Sequence, residues 1–341
     1  MTFGNLLKRF KGVRALVVGD LMLDEYVLGR AARISPEAPV MVIRRQSMRH
    51  QPGGAANVAA NLRALGANVS MVGVVGNDEA GSILLKSLQN SGIDTAGVVT
   101  EEDRVTTRKT RVLANHSHQV LRIDHESEHP LSHETEAAVL DCIDRRLDSL
   151  DVLVISDYLK GTVTEAIAAK CLDLAHRKGI PVVVNPKPRS LPLYRGATLL
   201  SLNRVEAEEA LASVRLRDEE ALCAAAQIRE RCGVDAVLIT LGDAGMAVIG
   251  AESFVIPALR VEVYDTAGAG DTVVAAAALG LATKGFHSTV FSLASYAAAS
   301  VVRKVGVVTP SLEDLQTLST LTAGVSSTAI FPPHHQESYE N

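Results

Sequence analysis

One glycine-rich turn followed by an alanine-rich segment constrains this chain more than any other feature. The turn is Asp265–Asp271, with the sequence DTAGAGD, and the mostly apolar, small residues of Thr272–Leu279 after it predict a buried helix. A helix that begins at such a turn leaves its first backbone N–H groups without partners, and together with the helix dipole they attract an anion. Gly268 and Gly270 lack a Cβ and would let that anion approach the backbone closely.

Asp271 is the residue of this turn that we expect to carry chemistry. It would lie in the first turn of the helix, beside the predicted anion site. This pairing suits phosphoryl transfer, because the amides stabilise the transferred group while the carboxylate accepts the proton of the attacking hydroxyl. We expect the base to work with an ordinary pKa of about 4, since a loose transition state releases the proton late. The alternative is an aspartate that only caps the helix.

Apolar runs alternate with helix-like segments along most of the chain, and this order predicts an α/β protein with a mainly parallel sheet. Two segments break the alternation and are predicted to form a small second sheet, from about residue 24 to 50 and from about 104 to 125. We expect residues 1–323 to form one domain and residues 324–341 to be a disordered tail.

Composition limits the partners and the compartment. The 341 residues carry a formal net charge of −5, which gives no reason to expect nucleic acid or an anionic membrane as a partner. The start of the chain lacks the apolar region of a secretion signal, and no stretch is apolar for long enough to cross a membrane. The four cysteines lie far apart without a C-x-x-C pair, which is typical of reduced thiols in a cytoplasmic protein.

Polar residues follow the predicted strands, where ligands bind in open α/β sheets. Asp20 ends the first strand and Asp24 follows it, so both could hold sugar hydroxyls, although such aspartates could also only form a turn. Gly53 and Gly54 begin the next helix, with Asn57 one turn later, and could close around the same ligand. A glycine pair at a helix start is more often only a turn.

Basic residues cluster on the segments of the small second sheet, and they are Arg33, Arg108, Lys109, Arg111 and Arg122. This cluster predicts either a lid that grips a phosphate already present on the substrate or a solvated charged face.

Three familiar patterns are excluded. No G-x-x-x-x-G-K-[ST] occurs, so the chain is not a P-loop enzyme, and Val273 breaks the one candidate dinucleotide fingerprint, which argues against a dehydrogenase. His125–His129 reads H-E-x-x-H, yet a strand-like run precedes it and Pro130 follows it. The two histidines would therefore not share one helix face, as a zinc protease requires.

Two signatures together resemble the ribokinase-like (PfkB) family of carbohydrate kinases. They are the glycine-rich stretch from Gly53 to Asn57 and the Asp265–Asp271 turn, and the matching order of strands and interruptions covers about residues 12–315. The resemblance implies a three-layer αβα sandwich with a small β-sheet lid. It also implies ATP and Mg²⁺ as cofactors, with a monovalent cation as an option, and a homodimer formed through the lid.

The resemblance further implies a role for each matching residue. Asp271 would be the base, and the amides of Gly268, Ala269 and Gly270 would form the anion site. The implied substrate ligands are Asp20, Asp24, Arg33, Gly53, Gly54, Asn57, Lys109, Arg111, Asp124 and Lys160. Of these, Arg33, Lys109, Arg111 and Lys160 would bind the phosphate of the substrate. The implied nucleotide ligands are Asn203, Glu206, Thr240, Gly242 and Gly245, with Glu206 also holding Mg²⁺ through water.

Within the family, the Arg33–Pro39 and Ser156–Gly161 strings resemble the bacterial kinases that phosphorylate the 1-position of D-glycero-β-D-manno-heptose 7-phosphate, for ADP-heptose and lipopolysaccharide synthesis. The chain lacks the H-x-G-H of a nucleotidyltransferase, so we expect the kinase alone. Asn185 stands where the family pattern leads us to expect Asp. The alternatives are a kinase of another sugar or nucleoside and a non-catalytic sugar-binding regulator.

Overall fold

The structure is a computed structural model that describes residues 3–115, 118–127, 129–146, 150–213 and 215–322. The tail predicted at residues 324–341 lies outside the described residues. The helices are α1 (Phe3–Phe10), α2 (Ala55–Ala64), α3 (Glu79–Asn90), α4 (His133–Asp144), α5 (Glu165–Lys178), α6 (Arg204–Leu211), α7 (Ala221–Cys232), α8 (Ala269–Lys284), α9 (Ser288–Val302) and α10 (Leu312–Thr322).

The strands are β1 (Arg14–Gly19), β2 (Leu21–Ile34), β3 (Met41–Gly54), β4 (Asn68–Gly76), β5 (Asp94–Glu101), β6 (Thr107–Ala114), β7 (His118–His125), β8 (Val152–Ser156), β9 (Val182–Asn185), β10 (Leu199–Asn203), β11 (Val237–Thr240), β12 (Met246–Ile249) and β13 (Ser253–Ile256). Among the described residues they form a nine-stranded sheet, in the order β13-β12-β11-β10-β9-β8-β1-β4-β5, and a four-stranded sheet, in the order β3-β2-β6-β7.

The large sheet brings the ends of its parallel strands to one edge. Strands β11, β10, β9, β8, β1, β4 and β5 run parallel to one another. Strands β12 and β13 form an antiparallel hairpin beside β11. The residues that follow β1, β8, β9 and β10 therefore meet at the carboxyl edge, which is where open α/β sheets bind ligands.

Helices cover both faces of this sheet, because successive strand residues point to opposite sides. In β1, Ala15 and Val17 pack into one core with α1, α2, α8 and α9, whereas Leu16 and Val18 pack into the other core with α4, α5 and α7. The large sheet with helices on both faces confirms the predicted α/β sandwich.

The alanine-rich segment forms the central helix α8, and every residue from Asp271 to Leu281 is buried. Small side chains allow α9 to approach closely, and a Cβ on Gly280 would lie 2.2 Å from a methyl group of Val290. Asp271 is therefore the charged residue at the start of a helix that is otherwise enclosed by protein.

The small sheet is larger than the sequence pattern indicates. Its first two strands, β2 and β3, have 14 residues each, and β2 begins at Leu21, directly after Asp20. The edge strand β5 and the hairpin of β12 and β13 were not predicted at all. In β5 and β13 few residues are buried, and β12 has only four residues, although three of them are buried. In the described part of the chain, none of the helices combines the length and the apolar character needed to cross a membrane.

Candidate active site

Asp271 lies at the start of α8 with both carboxylate oxygens bound. Asn57 donates through Nδ2 to Asp271 Oδ2 at 2.7 Å, and the hydroxyl of Tyr158 donates to Asp271 Oδ1 at 2.8 Å. Burial raises the pKa of Asp271 to about 6, and the bonds from Asn57 and Tyr158 oppose that rise. The expectation of an ordinary pKa is therefore wrong, because the carboxylate is far less hydrated than a residue in a simple helix cap would be.

A closed ring of polar side chains orients Asn57. Asn61 donates through Nδ2 to Asn57 Oδ1 at 3.0 Å, and Asn61 Oδ1 accepts from the hydroxyl of Thr272 at 2.7 Å. Because Asn57 Oδ1 accepts a bond, its Nδ2 group must face Asp271. Both polar groups of Asn57 are thus engaged inside the protein. The predicted contact with a sugar hydroxyl stays a prediction, and it requires one of these bonds to be exchanged.

The glycine-rich turn leaves open space at the N-terminus of α8. Gly268 is the N-cap with φ 79°, and a Cβ there would lie 2.7 Å from Asn57 Nδ2, so that position needs glycine. Gly270 is exposed, and a Cβ there would meet nothing within 4 Å. The N–H of Ala269 already donates to the carbonyl of Thr266 at 3.2 Å, so of the three predicted amides those of Gly268 and Gly270 are better placed to bind an anion.

Asp20 holds the loop after β8 rather than facing an open cleft. Its carboxylate is 1% exposed and accepts from the backbone N–H groups of Tyr158, Lys160 and Thr162 at 2.7–3.0 Å. Burial raises the pKa of Asp20, and the three N–H groups oppose that rise. The structure gives Asp20 a positioning task, so a direct bond to a sugar hydroxyl stays a prediction that uses its remaining lone pairs.

The two glycines before α2 make room for aspartates. A Cβ on Gly53 would lie 2.3 Å from Asp24 Oδ2, and a Cβ on Gly54, whose φ is 55°, would lie 2.7 Å from the carbonyl oxygen of Asp20. Their close neighbours are therefore Asp24 and Asp20 themselves. Asp24 is buried and forms an ion pair with Arg111.

Ion pairs separate the predicted phosphate ligands into two groups. Arg111 is neutralised by Asp24, and Lys160 pairs with Glu126 at 2.7 Å. Among the described residues, no carboxylate lies within ion-pair distance of Lys109 Nζ, and burial lowers the pKa of this lysine. Of Lys109, Arg111 and Lys160, Lys109 is therefore the one whose positive charge is not paired with a carboxylate of the described residues. Asp124, its partner in register, is bound to Arg122 instead.

Arg33 lies apart from these residues. It is exposed near the far end of β2, nine residues beyond Asp24, and a strand of that length spans roughly 30 Å. Within one chain, the prediction that Arg33 shares a phosphate site with Lys109 is wrong. The reason is that β2 continues as one long strand where the sequence suggested a loop.

Asn203 and Glu206 form a capping box at the start of α6. Asn203 Oδ1 accepts from the N–H of Glu206, and Glu206 Oε2 accepts from the N–H of Asn203, both at 2.9 Å. The other oxygen of Glu206 accepts from Lys187 Nζ at 2.5 Å. The N-x-x-E pattern therefore has a structural reason, because it satisfies helix N–H groups at the carboxyl edge.

The remaining predicted nucleotide ligands lie on the neighbouring strand and turn. Thr240 is paired with Asn203 in register, and Gly242, with φ 67°, is exposed after it. Gly245 has a different reason to be glycine, since a Cβ there would lie 2.1 Å from the carbonyl oxygen of Ile256.

Sequence reasoning gave no role to three residues that contact this site. Tyr158 binds Asp271, Lys187 binds Glu206, and Asn185 Nδ2 lies 3.5 Å from Asp271 Oδ1. An aspartate at position 185 would face Asp271 with a like charge, so asparagine suits this neighbour. The available signal was their position at the carboxyl edge of the sheet, because Asn185 ends β9 and Tyr158 and Lys187 follow the ends of β8 and β9.

Comparisons with known proteins give the family and the fold of this chain. A model of the pfkB family carbohydrate kinases matches residues 14–315. The bifunctional protein HldE of Geobacter sulfurreducens is 44% identical over 302 residues, which are 88% of this chain and 61% of that protein. HldE of Citrifermentans bemidjiense is 42% identical over 314 residues, 91% of this chain and 64% of that protein. The chain thus spans less than two thirds of the length of these relatives.

Solved structures share the fold at low sequence identity. Phosphofructokinase-2 from Escherichia coli in complex with potassium superposes with a TM-score of 0.76 at 20% identity, over 91% of this chain and 99% of that chain. Arabidopsis thaliana ribokinase complexed with ribose and ATP gives a TM-score of 0.68 at 20% identity, with the same coverage. These likenesses confirm the fold. The family match over residues 14–315 confirms the resemblance, and the chain belongs to the pfkB family of carbohydrate kinases.

Proposed function

We propose that this protein transfers the γ-phosphoryl group of ATP to the 1-hydroxyl of D-glycero-β-D-manno-heptose 7-phosphate and releases ADP and the 1,7-bisphosphate. The observation that carries the proposal is Asp271, a buried carboxylate held by Asn57 and Tyr158 beside the open N-terminus of α8. The choice of sugar rests on the resemblance of the Arg33–Pro39 and Ser156–Gly161 strings to the heptose 7-phosphate kinases. We infer a cytoplasmic location, where ATP and reduced cysteines are found.

In this reaction the oxygen on C1 of the sugar forms a bond to the γ-phosphorus, and the bond from that phosphorus to the ADP oxygen breaks. The proton of the sugar hydroxyl goes to Asp271. The amides of Gly268 and Gly270 stabilise the negative charge on the transferred group, because they are oriented before the reaction begins. Catalysis then depends on positioning and charge rather than on a covalent intermediate.

Lys109 is our candidate for the 7-phosphate. Its ammonium group has no carboxylate partner among the described residues and lies over the ring of Tyr158, 5.7 Å from the ring centre. Since the hydroxyl of that same tyrosine binds Asp271, a substrate with a phosphate at one end and a reactive hydroxyl at the other can contact both groups. Arg111 and Lys160 support the site at its edge and are less available, because each already has a carboxylate partner.

We expect Mg²⁺ to bind this site together with the phosphates of the nucleotide and not alone. The described residues contain no group of three His, Cys, Asp or Glu side chains that could hold a metal, and both oxygens of Glu206 already accept bonds. Mg²⁺ usually keeps several waters and binds through one carboxylate and the substrate phosphates, so Glu206 would hold it through water. When bound, Mg²⁺ neutralises charge on the triphosphate.

We also propose a homodimer formed through the small sheet. Val27, Met48, Val112 and Leu121 are cross-strand neighbours and therefore share one face of that sheet. Met48 is 40% and Leu121 is 52% exposed, so this apolar row lacks cover within one chain. Light scattering should report a dimer for the wild type and a monomer for a Leu121→Lys variant. A monomeric wild type would contradict this part of the proposal.

Product analysis tests the activity. Incubation with ATP, Mg²⁺ and heptose 7-phosphate should give the 1,7-bisphosphate by ³¹P NMR, and the same heptose without its phosphate should react at least about 100-fold more slowly. Equal rates for both sugars would favour a kinase of another sugar, and no ADP with any sugar would favour a sugar-binding regulator. The assay repeated in Na⁺ and in K⁺ tests the optional monovalent cation.

A further inference from the structure

Tyr158 connects Asp271 with both predicted substrate sites. Its hydroxyl donates to Asp271 Oδ1 at 2.8 Å. Two ammonium groups lie over its ring, Lys187 Nζ at 4.6 Å and Lys109 Nζ at 5.7 Å from the ring centre. Lys187 also pairs with Glu206 on the nucleotide side, whereas Lys109 is the candidate for the sugar phosphate. One side chain thus contacts the base and a cation from each side of the site.

The loop that carries Tyr158 is held rigidly by buried groups. Asp20 accepts from the N–H groups of Tyr158, Lys160 and Thr162 at 2.7–3.0 Å, so three points of the loop are tied to one carboxylate. Arg104 donates to the carbonyl of Lys160 at 3.3 Å from the other side. These bonds hold the backbone from which the Tyr158 hydroxyl reaches Asp271.

The hydroxyl of Tyr158 remains a donor at every working pH. Burial raises the pKa of Tyr158 well above its ordinary value, and the neighbouring Asp271 carboxylate raises it further. A bond donated to a carboxylate favours its ionised form. Each carboxylate oxygen has two lone pairs. Tyr158 and the more distant Asn185 Nδ2, at 3.5 Å, both face Oδ1, and Asn57 occupies one lone pair on Oδ2, so the second lone pair on Oδ2 is left for the proton of the substrate.

We propose that Tyr158 is a positioning residue, which holds the Asp271 carboxylate in its reactive orientation and links it to the lysines of both substrate sites. Tyr158 takes no proton itself and acts through Asp271. The proposal rests on the proposed function, because it assigns Asp271 as the base of that reaction. It goes further by giving a task to a residue that lies outside the glycine-rich turn.

The test compares Tyr158→Phe with Tyr194→Phe. Tyr194 is a matched control, because its hydroxyl also donates to a buried carboxylate, Asp157, at 2.6 Å, but that carboxylate does not touch Asp271. For Tyr158→Phe, kcat should fall about 10- to 100-fold, while KM for ATP should stay within about twofold of the wild-type value. The acid limb of the pH profile, which is the decline of kcat/KM at low pH, should move up by about one pH unit. For Tyr194→Phe, Tm should fall while the acid limb keeps its position. An unchanged limb together with kcat within about twofold in Tyr158→Phe would overturn the proposal.

Two further measurements keep this test independent of folding and of the substrate. If Tyr158→Phe does not fold, 3-fluorotyrosine at position 158 replaces it in the test, because it preserves the shape of the side chain and its hydroxyl is a stronger donor. The acid limb of kcat/KM should then move to lower pH. An acid limb that stays in place would overturn the proposal. A ¹³C NMR titration of the Asp271 carboxyl, assigned with Asp271→Asn, needs no sugar. Failure of the wild type to phosphorylate heptose 7-phosphate would refute the proposed function, whereas an Asp271 titration unmoved by Tyr158→Phe would refute the role of Tyr158.

Discussion

Asn57 and Asp271 are joined by a hydrogen bond of 2.7 Å between the amide nitrogen of one and Oδ2 of the other. The two residues are 214 positions apart and lie on the first turns of α2 and α8. Asn61 and Thr272 close the ring on the same two helices. The two glycine-rich signatures of the sequence therefore meet in one network, in which the first orients the carboxylate of the second.

Asn57→Asp should disable the base without removing the side chain. The substitution places a second carboxylate against Asp271, and two adjacent carboxylates cannot both ionise easily, so one pKa rises strongly. We expect kcat at pH 7 to fall about 100-fold or more. The control is Asn90→Asp at the exposed end of α3, which should retain wild-type kcat. Wild-type turnover in Asn57→Asp would contradict the network.

The pH dependence of the wild type should report Asp271 directly. The base accepts a proton and so works only when ionised, and burial raises its pKa to about 6. We expect kcat/KM to be level above that pH and to fall about tenfold per unit below it, because this ratio reports the free enzyme. Initial rates between pH 5 and 8 measure the limb. A ratio kcat/KM that stays level down to pH 5 would show that the raised pKa does not govern the reaction.

Asp271→Asn should lose activity and keep its fold. General-base catalysis contributes about 10²- to 10⁴-fold, and we expect a loss of kcat in that range. The exposed Asp173→Asn on α5 is the matched control and should retain activity. Stability gives a second readout, because folded Asp271 binds a proton near pH 6 and an unfolded aspartate near pH 4.

The sign of that readout follows from proton binding. Between about pH 4 and 6 the folded wild type binds more protons than the unfolded chain, so acidification favours folding. The free energy of unfolding of the wild type, relative to Asp271→Asn, should therefore increase as the pH falls from 7 to 4. Urea titrations at both pH values measure it, and a difference that shrinks on acidification would contradict the raised pKa.

The sequence predicted the glycine-rich turn and the helix after it, because glycine, aspartate and the apolar residues that follow are local features. Asp271 and Gly268 are in the expected place, since the N-cap conformation of Gly268 and the burial of α8 follow from neighbouring residues. The raised pKa of Asp271 was missed, because it depends on how tightly α2 and the loop after β8 enclose the carboxylate, and these are distant in the chain. Tyr158 was missed for the same reason.

The roles of the charged residues depended even more on distant contacts. A sequence shows that Lys109, Arg111 and Lys160 are basic but not that Asp24 and Glu126 neutralise two of them. Arg33 was misplaced because local turn residues suggested a loop, whereas pairing with β3 keeps β2 extended through Ile34. Alternation of strands and helices was predicted well, because burial on two faces leaves a strong apolar pattern.

Lys109→Met should weaken binding of the phosphosugar more than binding of ATP. Methionine keeps the packing of the side chain and removes the charge, so KM for heptose 7-phosphate should rise about tenfold or more while KM for ATP changes little. Arg111→Met is the informative comparison, because it leaves the buried Asp24 without its partner and should lower Tm as well. A rise in KM for ATP alone would place Lys109 in the nucleotide site.

The buried pair of Glu101 and Arg104 should support the site through stability. Burial of Glu101 opposes its ionisation, but bonds from Arg104 and Ser132 outweigh that effect and lower its pKa to about 2. Arg104 also donates to the carbonyls of Lys160 and His129. Because the folded pKa lies below the unfolded one, this stabilisation is complete above about pH 4.5 and is lost as the pH falls towards 2.

Arg104→Met should therefore reduce the free energy of unfolding at pH 7 by about 3–5 kcal/mol, since it leaves a buried carboxylate unpaired. Arg145→Met is the matched control, because both Arg145 and its partner Asp141 are exposed, and its free energy of unfolding should stay close to that of the wild type. Urea unfolding at pH 7 and at pH 3 separates the two variants, because the gap between wild type and Arg104→Met should narrow in acid. A gap that stays constant with pH would mean that Arg104 acts by packing and not through the charge of Glu101.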